Sequence, residues 1–252
     1  MTRLPSPWWG PFAASVGLLT VIPVPQATMS GSAVGRSAAL FPLVGALMGA
    51  LLGGIGLWLD RGLPPAPVAI VLLTGGVLLT GGLHFDGLMD TADGVFGGHS
   101  PTERLAIMRD SRVGAFGGMA GCLALLAQFA CLSELTGQSR LWALVVAATA
   151  SRWTLLLALT TFPAARSSGL GTTFQQGATP VIGMVGALLA SLIVLACGAL
   201  GVTALMVAVV VDLAGGSWLA RRLGGLTGDA YGALAVVTET LVLFLAVALA
   251  AR

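Results

Sequence analysis

Asp86, Asp90 and Asp93 stand at i, i+4 and i+7 in the stretch from Gly81 to Gly117, which reads GGLHFDGLMDTADGVFGGHSPTERLAIMRDSRVGAFG. On an α-helix these positions fall within about 60° of one another. Three carboxylates on one helix face repel one another and gain nothing structural from the arrangement. A hard divalent cation removes the repulsion, and Mg²⁺ characteristically takes one or two carboxylates together with substrate phosphates. The plainer reading is a solvated acidic helix start, because carboxylates favour the first turn. Gly87, Leu88 and Met89 between the acids, and the apolar run before them, weigh toward the metal.

The same stretch holds five of the ten carboxylates, three of the twelve arginines and both histidines. Ser100-Pro101-Thr102-Glu103 reads as a capping box with proline at the first helical position, so a short helix carrying Arg104 and Arg109 is expected. Asp110-Ser111-Arg112 then leads into Gly114. Arginines beside carboxylates on a soluble surface are ordinarily ion pairs. Beside a candidate Mg²⁺ site, Arg104, Arg109 and Arg112 are expected instead to clamp phosphate, whose geometry guanidinium matches with two donors. The residue types together describe a phosphoryl or pyrophosphate site. His84 and His99 stand singly, as ligands or as ordinary interface residues.

A second constellation, RRLGGLTGDAYG from Arg221 to Gly232, is glycine-dense around Thr227 and Asp229. Such a loop offers backbone N–H groups to a phosphate. Its alternative is an interhelical turn capped by Thr227 or Asp229. Glu239 and Asp212 fall inside apolar runs, where a carboxylate needs a partner, and Arg152 is the candidate.

The elements that position these residues are membrane spans. Of 252 residues, 56% are hydrophobic and 9% charged, and the mean hydropathy is +0.96. The fold class expected is all-α: a polytopic integral membrane protein forming a single domain over 1–252. A net charge of +2 gives no basis for nucleic-acid binding. Cys122, Cys131 and Cys197 lie in apolar runs without metal-ligand spacing. The N-terminus shows no pattern of a cleaved signal peptide.

About seven spans are expected, Ala33–Leu59, Ala66–Leu83, Ala115–Leu135, Leu141–Thr161, two within Val181–Leu219, and Ala233–Ala251. They follow an N-terminal interfacial or re-entrant segment, Phe12–Ile22, preceded by Trp8 and Trp9. Val181–Leu219 is too long for one span of about 20 residues and is split near Gly198–Gly201. That split brings the Gly-Asp loop to the side of the acidic stretch. It also places eight arginines on that side against three on the other, with Arg152 inside a span. The positive-inside rule then makes the acidic side cytoplasmic.

GGLHFDGLMDTADGVFGG, ERLAIMRDSRVGAFG and RRLGGLTGDAYGA, in this order among these spans, resemble the cobalamin synthase family, the adenosylcobinamide-GDP ribazoletransferases. The resemblance runs from Thr20–Pro25 to Glu239. Val21 stands where the family's N-terminal signature often has arginine, and Val236 where some members carry a second glutamate. What it implies is a Mg²⁺-dependent enzyme of the bacterial inner membrane. The 3′-hydroxyl of α-ribazole, or of its 5′-phosphate, would attack the cobinamide-bound phosphate of adenosylcobinamide-GDP and release GMP. On that implication Asp86, Asp90 and Asp93 hold the metal, with Asp110 as a further ligand or as base. Asp229 completes the catalytic set, and Arg104, Arg109, Arg112, Arg221, Thr227, Glu239 and His84 are candidate substrate contacts. Lipid surrounds the protein, and self-association is left open. Two alternatives stand beside this reading: another membrane transferase with a nucleotide-diphosphate-linked donor, and a cation-coupled transporter using intramembrane carboxylates.

Overall fold

The computed structural model of the protein describes residues 9–24, 31–165, 175 and 177–251. Arg3, Trp8, Arg166, Ser167, Ser168, Thr172, Thr173, Gln176 and Arg252 lie outside the described residues. Within them the secondary structure is helical apart from an isolated bridge between Ala164 and Leu226.

Helix α1 (Gly10–Leu19) has 10 residues, about 15 Å of rise, too little to cross a bilayer. It is fastened to the bundle by Ser15, whose hydroxyl donates to the Ser37 carbonyl at 2.7 Å, and by the Val21 N–H on the Leu79 carbonyl at 2.9 Å. Helix α2 (Gly31–Ser37) runs through a 3-10 turn, Ala38–Leu40, into α3 (Phe41–Leu59). Helix α3 packs on α8 (Gly137–Thr161), the most deeply buried helix. Gly45, Gly49 and Gly53, one per turn, lie directly on the α8 backbone at Ala148, Leu144 and Leu141, leaving no room for side chains. Van der Waals contact between close backbones replaces the hydrophobic drive that lipid does not provide.

Helix α4 (Pro65–Thr80) ends at Gly81 and Gly82, whose φ angles of 62° and 73° lie in the left-handed region. These two glycines swing the chain through 84° into α5 (Leu83–Gly97), so the expected span Ala66–Leu83 stops at Thr80. The acidic residues ride on α5, a helix laid across the end of the bundle. Helix α6 (Pro101–Ile107) follows, and α7 (Ala115–Glu134) and α8 return across and back.

Helix α9 (Pro180–Val194) continues through a 3-10 turn to Cys197, and α10 (Ala199–Val210) begins after Gly198, at φ 60°. The break falls where the glycines predicted it. Helix α10 passes through a π-helical turn, Val211–Gly216, into α11 (Ser217–Leu223), and α12 (Gly228–Ala250) is the last crossing. Among the described residues, six helices are long and apolar enough to cross a membrane, or seven with the bent α4–α5 pair counted as one span. The protein is a polytopic all-α membrane protein. Following the crossings, α5, α6 and the turn at 224–227 share one end of the bundle, here the near end. Asp60 and the α7–α8 turn share the far end.

Candidate active site

The sequence spacing makes α5 two-faced, and the fold uses both faces. His84, Gly87, Thr91, Gly94 and Val95 are buried; Asp86 is exposed, and Asp90 and Asp93 are half-buried. Gly87 is where α12 arrives: a Cβ there would stand 2.7 Å from the Asp229 carbonyl oxygen, and one on Gly232 would stand 3.3 Å from His84 Cα. The backbone of the Gly-Asp loop is therefore seated on the acidic helix, as the two-span reading of 181–219 requires.

The three aspartates do not share one environment. Asp93 accepts the Gly114 and Gly117 N–H groups, both at 2.8 Å, and so caps the start of α7 from another helix. The first N–H groups of any helix lack intrahelical acceptors, and a carboxylate is their best partner. A Cβ at Gly114 or Gly117 would collide with that carboxylate. Among the described residues, no three His, Cys, Asp or Glu side chains converge as a metal-ligand set. Asp86, Asp90, Asp93 and Asp110, expected as one ligand set, are thus not gathered by the chain alone: spacing puts the first three on one helix face, while the Gly114 and Gly117 amides hold Asp93 and Arg112 holds Asp110. Asp86 and Asp90, hard oxygen donors one turn apart with Asp86 open to the outside, still fit an ion that takes few protein ligands and fills its shell with phosphate and water.

The arginines divide in the same way. Arg104 is buried, donating from Nε to the Gly98 carbonyl at 3.1 Å and from Nη1 to the Arg222 carbonyl at 3.0 Å. Through these two carbonyls it ties α6 to the end of α11. Arg112 pairs with Asp110 at 2.6 Å, and that guanidinium, through its side-chain hydrogen bond, lowers the Asp110 carboxyl to about 2. Clamp and ligand expected from these two residues are here occupied with each other. Arg109 and Arg221 are exposed, while Arg222 lies 5.4 Å from the centre of the Trp218 ring. The capping expectation for α6 is met: Ser100 Oγ accepts the Glu103 N–H at 3.2 Å. Glu103 reaches back to the His99 N–H at 2.8 Å, one residue beyond the usual box, and that hydrogen bond lowers its carboxyl.

Thr227 caps α12, its Oγ1 accepting the Ala230 N–H at 3.2 Å and lying 3.4 Å from Asp229 Oδ2. Its side chain serves the helix start, the capped-turn alternative for this loop. Glu239 pairs with Arg152 at 2.6 Å inside the bundle, the partner expected for it. His84 faces the same interior: with Arg152, Glu239 and Gln128 it lines a cavity of about 50 Å³, and its Nε2 is buried without a hydrogen-bond partner. His84 and Glu239 thus lie behind α5, apart from its exposed carboxylates.

Sequence reasoning missed two features. Arg140, fully buried, pairs with Asp60 at 2.6 Å and donates to the Leu132 carbonyl at 3.1 Å. Its signal was available, since both residues fall at span ends on the same side. The second is a row of rings from three helices, Phe96, Phe116 and Trp218, for which the sequence gives no signal.

Fold and site together define an integral membrane protein with carboxylates and arginines gathered at one end of its bundle. Residues 11–247 match the model of the CobS family, cobalamin-5-phosphate synthase, and the chain belongs to that family. A relative from Roseiflexus sp. (strain RS-1) is 39% identical over 253 residues, covering 96% of this chain and 91% of the relative. One from Deinococcus radiodurans is 41% identical over 91% of this chain and 82% of the relative. One from Escherichia coli K12 is 40% identical over 88% and 93%. Each is named adenosylcobinamide-GDP ribazoletransferase. No solved structure matches the chain.

Proposed function

We infer that this protein carries out the transfer for which its relatives are named, joining the cobinamide phosphate of adenosylcobinamide-GDP to α-ribazole or its 5′-phosphate. The 3′-oxygen of the ribose forms a bond to the cobinamide-bound phosphorus, the bond from that phosphorus to the bridging oxygen breaks, and GMP leaves with that oxygen. The hydroxyl proton passes to a base at the near end, where Asp229 is the carboxylate brought from the second loop. The observation that carries this reading is the seating of the Asp229 backbone on Gly87, between Asp86 and Asp90 in the chain. Two motifs far apart in sequence thereby lie against each other, which supports a shared site.

Phosphoryl transfer asks for positioning and charge neutralisation more than covalent chemistry. Asp86 and Asp90 are the residues that would hold Mg²⁺, which when bound supplies positive charge to the diphosphate. Arg109 and Arg221 offer guanidinium to its outer oxygens. Arg36, Arg104, Arg109, Arg112, Arg221 and Arg222 at the near end, against Arg61 and Arg140 at the far end, support a cytoplasmic site in the inner membrane. Against the transporter alternative, Glu239, the acid within the last span, is held by Arg152 at 2.6 Å.

The test is GMP release by purified protein in liposomes, with Mg²⁺ present or chelated. Release is expected only with adenosylcobinamide-GDP, acceptor and Mg²⁺ together. Undiminished release in chelator would remove the metal, and release from unrelated nucleotide-diphosphate donors alone would remove the substrate assignment.

A further inference from the structure

Phe96, Phe116 and Trp218 come from α5, α7 and α11 and meet at the near end. The Phe96 and Phe116 ring centres are 5.7 Å apart, and those of Phe96 and Trp218 are 6.1 Å apart. They remain 60%, 44% and 37% exposed, so the helices bring them together without burying them. We propose that this row of rings is a stacking face for the heteroaromatic base of a ribonucleotide bound at the acidic site, an inference that rests on the transferase reading above.

Three placements carry it. Phe96 follows Asp93 by three residues, about 60° around the helix, so it borders the arc that presents the carboxylates. An arc bearing aspartates does not lie among acyl chains, and the ring at its margin faces the same compartment. Phe116 stands between Gly114 and Gly117, the two amides that Asp93 holds at 2.8 Å, which fixes that ring relative to the acidic helix. Trp218 lies one turn before Arg222, whose guanidinium sits 5.4 Å from its ring centre, with exposed Arg221 beside it. Aromatic faces flanked by guanidinium and adjoining a phosphate site match a base, its ribose and its phosphate. Base–aromatic stacking tolerates any base because every base has a π-face. Both the guanine of the donor and the base of α-ribazole have this chemistry.

The experiment measures binding of GMP, α-ribazole 5′-phosphate and pyrophosphate to the full chain in nanodiscs. Phe96→Leu, Phe116→Leu and Trp218→Leu keep the patch apolar and remove the rings. Each is expected to weaken one nucleotide by about five- to a hundredfold, the scale of one lost stack, with pyrophosphate unaffected. Trp218→Phe is expected to retain most of the affinity. The nucleotide that weakens identifies which base stacks. Unchanged affinity for both nucleotides overturns the proposal. A second measurement needs no damaging substitution: the emission of Trp218, taken as wild type minus Trp218→Phe, should change on adding that nucleotide. Quenching by brominated lipid with no response to either nucleotide would make the row a membrane-interface anchor and overturn the proposal. Transfer by the wild type tests the functional reading separately, since active protein whose Leu variants bind normally would sink the stacking face alone.

Discussion

Asp60 with Arg140 at the far end, and Asp86 with Arg109 at the near end, are the same residue types put to opposite use. At the far end the guanidinium is 1% exposed and the carboxylate 20%. They meet at 2.6 Å, and the other carboxylate oxygen accepts the Gly137 N–H at 2.8 Å. That arrangement fastens the α3 end to the start of α8. At the near end Asp86 and Arg109 are exposed. Buried charge is costly unless paired and hydrogen-bonded, so the far pair belongs to the framework. Exposed charge costs the fold little and remains available to a ligand. Asp93 and Arg104 lie between these extremes: near-end residues whose groups are engaged by backbone.

Removing Arg140 has the largest expected effect. Arg140→Leu leaves Asp60 without its countercharge and should cost about 3–5 kcal/mol of stability, read as a large fall in melting temperature in detergent. A drop no larger than that of Arg109→Ala would erase the distinction between the two ends. Asp86→Asn and Asp90→Asn should lower turnover roughly a hundredfold, the scale of lost electrostatic stabilisation, and for the exposed Asp86 the melting temperature should hardly move. Asp93→Asn sharpens the contrast, because its amide keeps one acceptor for two N–H groups. It should lose about 1–2 kcal/mol of stability along with activity. Equal melting temperatures for all three variants would deny Asp93 its capping role.

The smallest effect concerns Asp110. Its carboxyl, brought down to about 2 by Arg112, has a depressed pKa, so the pairing is fully present above the ordinary carboxylate value of about 3.9 and is lost as pH falls through about 2. Carboxyl carbon shifts of labelled Asp should show one resonance, absent in Asp110→Asn, that titrates near 2. A midpoint near 4 for that resonance would mean the pair does not form in solution.

Much of the frame was legible because hydropathy and glycine act locally. The break at Gly198, the helix carrying Asp86 and Asp90, and the cap of Ser100 on α6 all follow from neighbours a few residues away. Glu239 and Asp212 both call for a partner because an acid inside a span is costly; the fold gives Arg152 to Glu239 and leaves Asp212 Oδ1 buried without a hydrogen-bond partner. The turn between α4 and α5 was misplaced by three residues. Leu83 is as apolar as the span before it, and only the left-handed Gly81 and Gly82 show where the helix ends.

Which segments are helical, which cross the membrane, and that three aspartates share one helix face all follow from period and composition. What each charged group does depends on the assembled fold. Asp93 serves amides 21 and 24 residues away, and Arg104 reaches a carbonyl 118 residues away. Spacing fixes the direction in which a side chain leaves its helix, while its hydrogen-bond partner is set by whichever backbone the fold brings there.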